Sequence, residues 1–341
     1  MNNSKKKYIL ISAGGTAGHV LPAIEVAKKF YSRGYLVSFF TDSRMYNNIK
    51  SKPNFINGEI KLFSIKGRGI NRTNIFKNII TLILMTIGII QSFSRLIFIR
   101  PVIAIGFGGY ITVPVLLACY IFRVKIFIHE GNAILGKANK LLYKISKNLM
   151  THFPELKNID KKKVNYCFVG MPVRPEILDL YKLNYKMDKT INLLITGGSL
   201  GAGVMSLNIA QAIIRFPKDL KLRLRIVQQV RKEHIKELRN IYNRNAIKSE
   251  LHIFINDMGK YLKWSNIVIC RCGASTIAEN LISGRPSIMI PFAKSAENHQ
   301  FLNSKLVENK GAGWIITEDK LQDVEELHNK LISIIKNTRK L

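Results

Sequence analysis

The residues of this 341-residue chain best suited to chemistry stand in glycine-rich stretches that follow short apolar runs. The first is Gly14-Gly15-Thr16-Ala17-Gly18-His19, placed after Tyr8–Ser12 and before a helix-like segment with Pro22 in its first turn. Glycines permit a tight turn and bring backbone N–H groups close to a phosphate, and a helix N-terminus adds favourable potential there. Histidine titrates near neutral pH, so His19 is the candidate general base for a substrate hydroxyl; the alternative is that it only orients the acceptor or its phosphates. Gly197-Gly198-Ser199-Leu200-Gly201-Ala202-Gly203 repeats the device in the second half, and Gly106-Phe107-Gly108-Gly109-Tyr110 is a third loop of the kind. The first loop is neither GxGxxG nor GxxxxGK[ST], which weakens dinucleotide and P-loop readings.

A fourth stretch runs from Cys270 to Glu279, reading CRCGASTIAE. Helix-start N–H groups and the hydroxyls of Ser275 and Thr276 suit a diphosphate, and Glu279, one turn in, suits ribose hydroxyls. Plain helix capping, with Glu279 closing a capping box, explains the same residues. Arg271 suits a phosphate or an ion pair within its domain equally. No two aspartates stand at i, i+2, so the DxD device for holding a divalent cation on a diphosphate is missing. The expected site therefore uses no metal and no cofactor, and the diphosphate charge falls to helix N-termini, loop amides and Arg174. Cys119, Cys167, Cys270 and Cys272 form no CxxC pair and read as small residues of a reduced protein.

These loops need strands to present them. The expected strands are Tyr8–Ser12, Val37–Phe40, Val102–Phe107, Lys125–His129 and Val164–Phe168, then Ile191–Thr196, Leu222–Val227, Leu251–Phe254, Ile267–Cys270, Ser287–Ile290 and Trp314–Ile316. They are continuous apolar runs separated by helical segments, the pattern of parallel sheets covered on both faces. Ligands bind at the carboxyl ends of such strands. The fold class is α/β: two doubly wound, Rossmann-like domains, 1–169 and 170–341, expected to face each other across a cleft. Tyr181–Thr190 is the linker candidate, with the border as early as Gly170.

A formal charge of +31 accompanies an ordinary globular composition, 47% hydrophobic and 22% charged. Residues 1–150 hold 22 Lys and Arg against four acids, a net +18. That half is expected to meet phosphates or an acidic surface. A nucleic-acid module would interleave basic and aromatic residues on a groove. Here the aromatics fall inside strand and helix patterns, so no nucleic-acid partner is expected. Tyr8–Ile11 is too short for the apolar region of a signal peptide, so the chain is expected to be unprocessed and cytoplasmic. The apolar segment Ile75–Ile99 is interrupted by Lys77, Gln91 and Arg95 and flanked by Arg68, Arg72 and Arg100. Its uninterrupted core, Ile79–Ile90, is shorter than the ~20 residues of a spanning helix. It reads either as a helix lying in a membrane interface or as a wholly buried core helix.

The motifs GGTAGH, GFGGY, HEGN at His129–Asn132, GMPVR at Gly170–Arg174, GGSLGA, FINDM at Phe254–Met258, CRCGASTIAE and ENHQ at Glu297–Gln300 occur in a family order over nearly the whole chain. On them the chain resembles the MurG family of bacterial peptidoglycan N-acetylglucosaminyltransferases. The resemblance implies a GT-B architecture and inverting, metal-independent transfer of GlcNAc from UDP-GlcNAc to lipid I, undecaprenyl-diphospho-MurNAc-pentapeptide, giving lipid II. It places UDP-GlcNAc mainly on the C-terminal domain. Ser199 and Arg174 would lie at the diphosphate and Ile255 at uracil through its backbone. Ala274, Ser275, Thr276, Ile277, Ala278 and Glu279 would wrap diphosphate and ribose, with Asn132 and Gln300 on the GlcNAc hydroxyls. Thr16, Ala17 and Gly18 would close over the donor. Gly14, Gly15, Gly108, Gly109 and Tyr110 would lie at the acceptor diphosphate. The 75–99 region would dock on an anionic membrane at the cytoplasmic face of the inner membrane, where other cell-wall synthesis enzymes are further partners. The chain departs from the family pattern at Gly131, Leu200 and His299. A lipid-modifying glucosyltransferase, a UDP-GlcNAc 2-epimerase and an inactive membrane scaffold are the rival readings.

Overall fold

A computed structural model describes residues 7–69, 75–157, 159–160, 164–183 and 189–338, with the side chains of 75, 77, 182, 198–202, 204 and 337–338 outside the description. The chain divides into two compact units, Met1–Val173 and Arg174–Leu341. The division falls four residues after the expected border. The linker candidate Tyr181–Thr190 instead lies inside the second unit, and its residues 184–188 are outside the described ones.

The first unit holds strands β1 (Tyr8–Ser12), β2 (Leu36–Thr41), β3 (Ile60–Ser64), β4 (Ile103–Gly106), β5 (Lys125–Glu130), β6 (Asn148–Thr151) and β7 (Asn165–Phe168). They form one sheet in the order β3-β2-β1-β4-β5-β6-β7, every pairing parallel. Along β1 the side chains alternate between two cores: Ile9 and Ile11 pack with Val20, Ala23 and Phe39, whereas Leu10 packs with Phe40, Leu96 and Leu116. Burial on both faces is why the strand reads as an unbroken apolar run.

The second unit holds β8 (Ile191–Thr196), β9 (Leu224–Gln229), β10 (Lys248–His252), β11 (Ile267–Arg271), β12 (Ser287–Ile290) and β13 (Gly313–Ile315), in the order β10-β9-β8-β11-β12-β13 and again all parallel. Ile191, Leu193 and Ile195 of β8 pack against Met205 and Ile209 of helix Gly198–Ile214 and Leu331 of helix Val324–Thr338.

In both sheets the strand order reverses beside the first strand, between β1 and β4 and between β8 and β11. The glycine stretches follow those four strands, so each unit carries two of them at the switch point where ligands of doubly wound sheets bind.

Helix Ile75–Ile99 overturns the buried-core reading. Its inward residues include Thr81, Ser92, Leu96 and Ile99, while Phe76, Leu82, Ile90 and Phe98 are exposed. Small and polar residues make much of the packed stripe and large apolar residues the open one, the reverse of a soluble amphipathic helix. By length and composition Asn78–Ile99 could cross a membrane, with a mean hydropathy of 2.0. It packs along helix Thr112–Ile121, however, with Phe93 against Phe122 at 4.5 Å between ring centroids.

Candidate functional site

In the first unit, the loops after β1 and β4 lie back to back. Gly109 has φ +82°, and a Cβ there would overlap the Gly14 carbonyl oxygen. Only glycine meets both demands. Gly108, at φ +90°, leaves room for the His19 ring, whose Nδ1 would stand 3.2 Å from a Cβ at that position. Thr16 precedes helix Ala17–Ser32 without a side-chain cap, and Thr16, Ala17 and Gly18 are exposed at its start.

The loop after β1 is shaped by Asp42, a buried residue that sequence reasoning passed over. Its Oδ2 accepts the Gly15 N–H at 2.7 Å, and its Oδ1 accepts Met45 N–H at 3.1 Å to cap helix Ser43–Ile49. Arg44 Nη2 donates to the Gly15 carbonyl. The Gly15 N–H is thus turned to a carboxylate, not outward as a simple phosphate cradle would have it. The Tyr110 ring lies over Gly15, and burial, then Asp42, push its hydroxyl pKa up. An Asp just after a strand signals a helix cap, and nothing in the spacing shows that the same carboxylate holds a loop 27 residues earlier.

The HEGN stretch ends β5. Glu130 is buried, with Oε1 accepting Asn132 N–H at 2.9 Å and Asn132 Nδ2 at 3.1 Å, and Oε2 accepting Gly136 N–H at 2.8 Å and Asn139 Nδ2 at 2.9 Å. Asn132, expected at the sugar, is therefore oriented by Glu130. His129 Nε2 donates to Gly170 O at 2.9 Å and its ring stacks on Phe107. Burial lowers the His129 pKa, against the raising effects of the Gly170 hydrogen bond and Glu130, and the ring serves as a loop-positioning group.

In the second unit, helix Ala274–Ile282 starts after Gly273 without a side-chain cap. The capping reading of Ser275, Thr276 and Glu279 fails, because Glu279 Oε1 instead lies 3.1 Å from Arg174 Nη2. Burial raises the Glu279 pKa and Arg174 opposes that shift. Arg174 is delivered by the short helix Pro175–Leu178, which leans on Gly259, where a Cβ would stand 3.0 Å from Glu176 Cγ. Ala274, Ser275 and Thr276 are partly exposed, whereas Ile277 and Ala278 are buried and present no side chain. Ser199 lies in the first turn of helix Gly198–Ile214, its side chain outside the described residues.

Gln300 Oε1 accepts Cys272 N–H at 3.2 Å and Phe292 N–H at 3.0 Å, which ties the loops after β11 and β12 together. Its amide NH₂ is the group left to donate to a ligand. Arg271 takes the ion-pair reading: Nη2 lies 2.5 Å from Glu318 Oε1, while Glu318 Oε2 accepts Ala293 N–H at 2.9 Å. Ile255 is buried between exposed Phe254 and exposed Asn256.

Two doubly wound units, each with glycine loops at its switch point and one with an Arg–Glu pair at a helix start, define a nucleotide-sugar transferase of GT-B type. Residues 9–151 match the glycosyltransferase family 28 N-terminal domain and residues 192–341 its C-terminal domain. The chain is 35% identical over 323 residues to the UDP-N-acetylglucosamine--N-acetylmuramyl-(pentapeptide) pyrophosphoryl-undecaprenol N-acetylglucosamine transferase of Paramagnetospirillum magneticum, covering 93% of this chain and 85% of that protein. It is 31% identical to the protein of the same name from Wolbachia pipientis subsp. Culex pipiens, covering 98% and 91%. The crystal structure of Acinetobacter baumannii MurG superposes with a TM-score of 0.74 at 25% identity, covering 96% of this chain and 90% of that one. The chain belongs to the MurG family of glycosyltransferases.

Proposed function

We propose that this enzyme transfers GlcNAc from UDP-GlcNAc to undecaprenyl-diphospho-MurNAc-pentapeptide, with inversion, at a membrane surface. Relatives named for this transfer, 31–35% identical to the chain, support the chemistry. The observation that carries the choice of a lipid-linked acceptor over a free sugar is the outward apolar face of helix Ile75–Ile99, in the same unit as His19. A face of that kind lies in the headgroup region with nearby basic residues on lipid phosphates, so the enzyme is peripheral, on the cytoplasmic leaflet.

In the reaction the acceptor hydroxyl oxygen attacks the anomeric carbon of GlcNAc. The bond from that carbon to the UDP oxygen breaks, and UDP leaves with the electron pair. His19 takes the hydroxyl proton. On the donor side the start of helix Ala274–Ile282 and Arg174 meet the diphosphate, Glu279 accepts from ribose hydroxyls, and Gln300 donates to the sugar. Incubation with radiolabelled UDP-GlcNAc should label the lipid-linked acceptor and leave a lipid-free acceptor poorly used. Release of a free epimerised sugar, or equal use of both acceptors, would overturn the reading.

A further inference from the structure

We propose that Arg44 binds the diphosphate of the lipid-linked acceptor, a task that nothing in the glycine motifs announces. The inference rests on the reading of the first unit as the acceptor side. A glycine loop at a switch point binds an anion through outward N–H groups. Here the Gly15 N–H points instead to the buried carboxylate of Asp42. That arrangement puts a negative charge beneath the loop and removes a donor from it, so an anion settling there needs a cation supplied from elsewhere. Arg44 stands at that point. It follows Asp42 by two residues, is exposed, and rests one guanidinium nitrogen on the Gly15 carbonyl. A guanidinium carries five N–H donors in a rigid fork, so a contact to one carbonyl aims the group without using it up.

The surroundings favour a phosphate joined to a lipid. Tyr110 lies over the same glycine, and Gly67 and Gly69 pack against its ring, with exposed Arg68 between them. Helix Ile75–Ile99 is tied to that loop: Gln91 Oε1 accepts Lys66 N–H at 2.8 Å and Thr81 Oγ1 donates to Gly69 O at 3.4 Å. Arg68 therefore sits in the loop held to the packed side of the helix that carries the outward apolar face, and Arg44 reaches the same Tyr110-covered glycine that this loop adjoins. A polyprenyl diphosphate has this layout of adjoining charge and hydrocarbon.

The test is steady-state kinetics of Arg44→Gln and Arg44→Lys in detergent, with competition by inorganic pyrophosphate. Loss of a charge-assisted contact should raise the acceptor KM about tenfold or more in Arg44→Gln. The donor KM should stay unchanged, pyrophosphate inhibition should weaken in parallel, and Arg44→Lys should recover part of the loss. An unchanged thermal melt and unchanged turnover at saturating acceptor check that the unit carrying Arg44 is folded. An unchanged acceptor KM in a folded, active variant overturns the proposal. So does a loss confined to sedimentation with anionic vesicles, which would assign Arg44 to membrane headgroups. If the wild type fails to label the lipid-linked acceptor, the functional reading falls, and that result is distinct from either of these.

Discussion

Arg174 Nη2 stands 3.1 Å from Glu279 Oε1, and that pair opposes the effect of burial on the carboxylate expected at the donor ribose. Burial pushes the Glu279 pKa up and Arg174 pulls it back. A hydrogen-bond acceptor for two ribose hydroxyls works best ionised. Donor affinity should therefore fall as pH drops through the Glu279 pKa. In Arg174→Gln the upward push is left unopposed, so the acid limb of donor KM against pH should move to higher pH, beyond any uniform loss of affinity. A limb in the same place for both proteins would mean that the pair is structural only.

His19 rests against Gly108 in the loop after β4, which fixes where its ring can reach. As general base, its replacement by Ala should lower kcat/KM by ~10²-fold or more. Gly108→Ala should mimic much of that loss with His19 intact, because an added Cβ would stand 3.1 Å from the ring and the backbone has φ +90°. The two variants separate by pH profile. Gly108→Ala should retain the limb assigned to His19, and His19→Ala should lose it. Activity within a few-fold of wild type for His19→Ala would leave His19 as an orienting group.

The strands buried on both faces were legible from sequence because their apolar runs are uninterrupted, as in β1, β8 and β12. Most of those missed or displaced are short or lie at edges, whereas interior β9 starts two residues later than expected because Leu222 belongs to helix Lys218–Arg223. Edge strand β3 has a single fully buried residue, Ile60, followed by exposed Lys61, β6 has only four residues, and edge strand β10 is the polar run KSELH. The glycine loops were legible for a similar reason, since β1, β4, β8 and β11 each run straight into one. Long-range partners were not legible. Local spacing holds no trace of Asp42 reaching Gly15, of Glu130 gathering Asn132, Gly136 and Asn139, or of Arg174 meeting Glu279 across 105 positions. Three-dimensional crossing of strand ends creates those contacts.

His152, at the end of β6, is buried, and both its ring nitrogens lack a hydrogen-bond partner. Burial, aided by His129, pushes its pKa down from 6.5 to about 4. The folded state thus binds this proton less tightly than the unfolded chain, and stability must fall as pH drops. The loss begins near the unfolded value of 6.5 and is nearly complete at about 4. A shift of that size corresponds to about 3 kcal/mol, as an order of magnitude. His152→Phe should remove this component: urea unfolding at pH 7 and pH 4 should show the wild type losing about 3 kcal/mol more than the variant. Equal losses would place the acid sensitivity elsewhere.

The inverted stripe of helix Ile75–Ile99 allows a test that separates membrane docking from folding. Residues that hold the helix to the unit, Ser92 and Leu96 among them, differ from those that face out, Leu82 at 69%, Ile90 at 63% and Phe98 at 85% exposure. Replacing exposed residues leaves the core untouched, so Leu82→Glu, Ile90→Glu and Phe98→Glu together should change the unfolding free energy little. Lipid binding should respond strongly. Each side chain would give up the burial of a large apolar group in the bilayer boundary, worth roughly 1.5–3 kcal/mol, and each new carboxylate would meet an anionic surface. Sedimentation with anionic vesicles should fall at least tenfold. Turnover of a detergent-dispersed acceptor whose lipid is too short to lie along the helix should remain near wild type, because the glycine loops, Arg44 and His19 are untouched. Vesicle binding that survives all three changes would move the membrane contact off this helix. Loss of turnover on the soluble acceptor would make the helix part of the acceptor-binding surface itself.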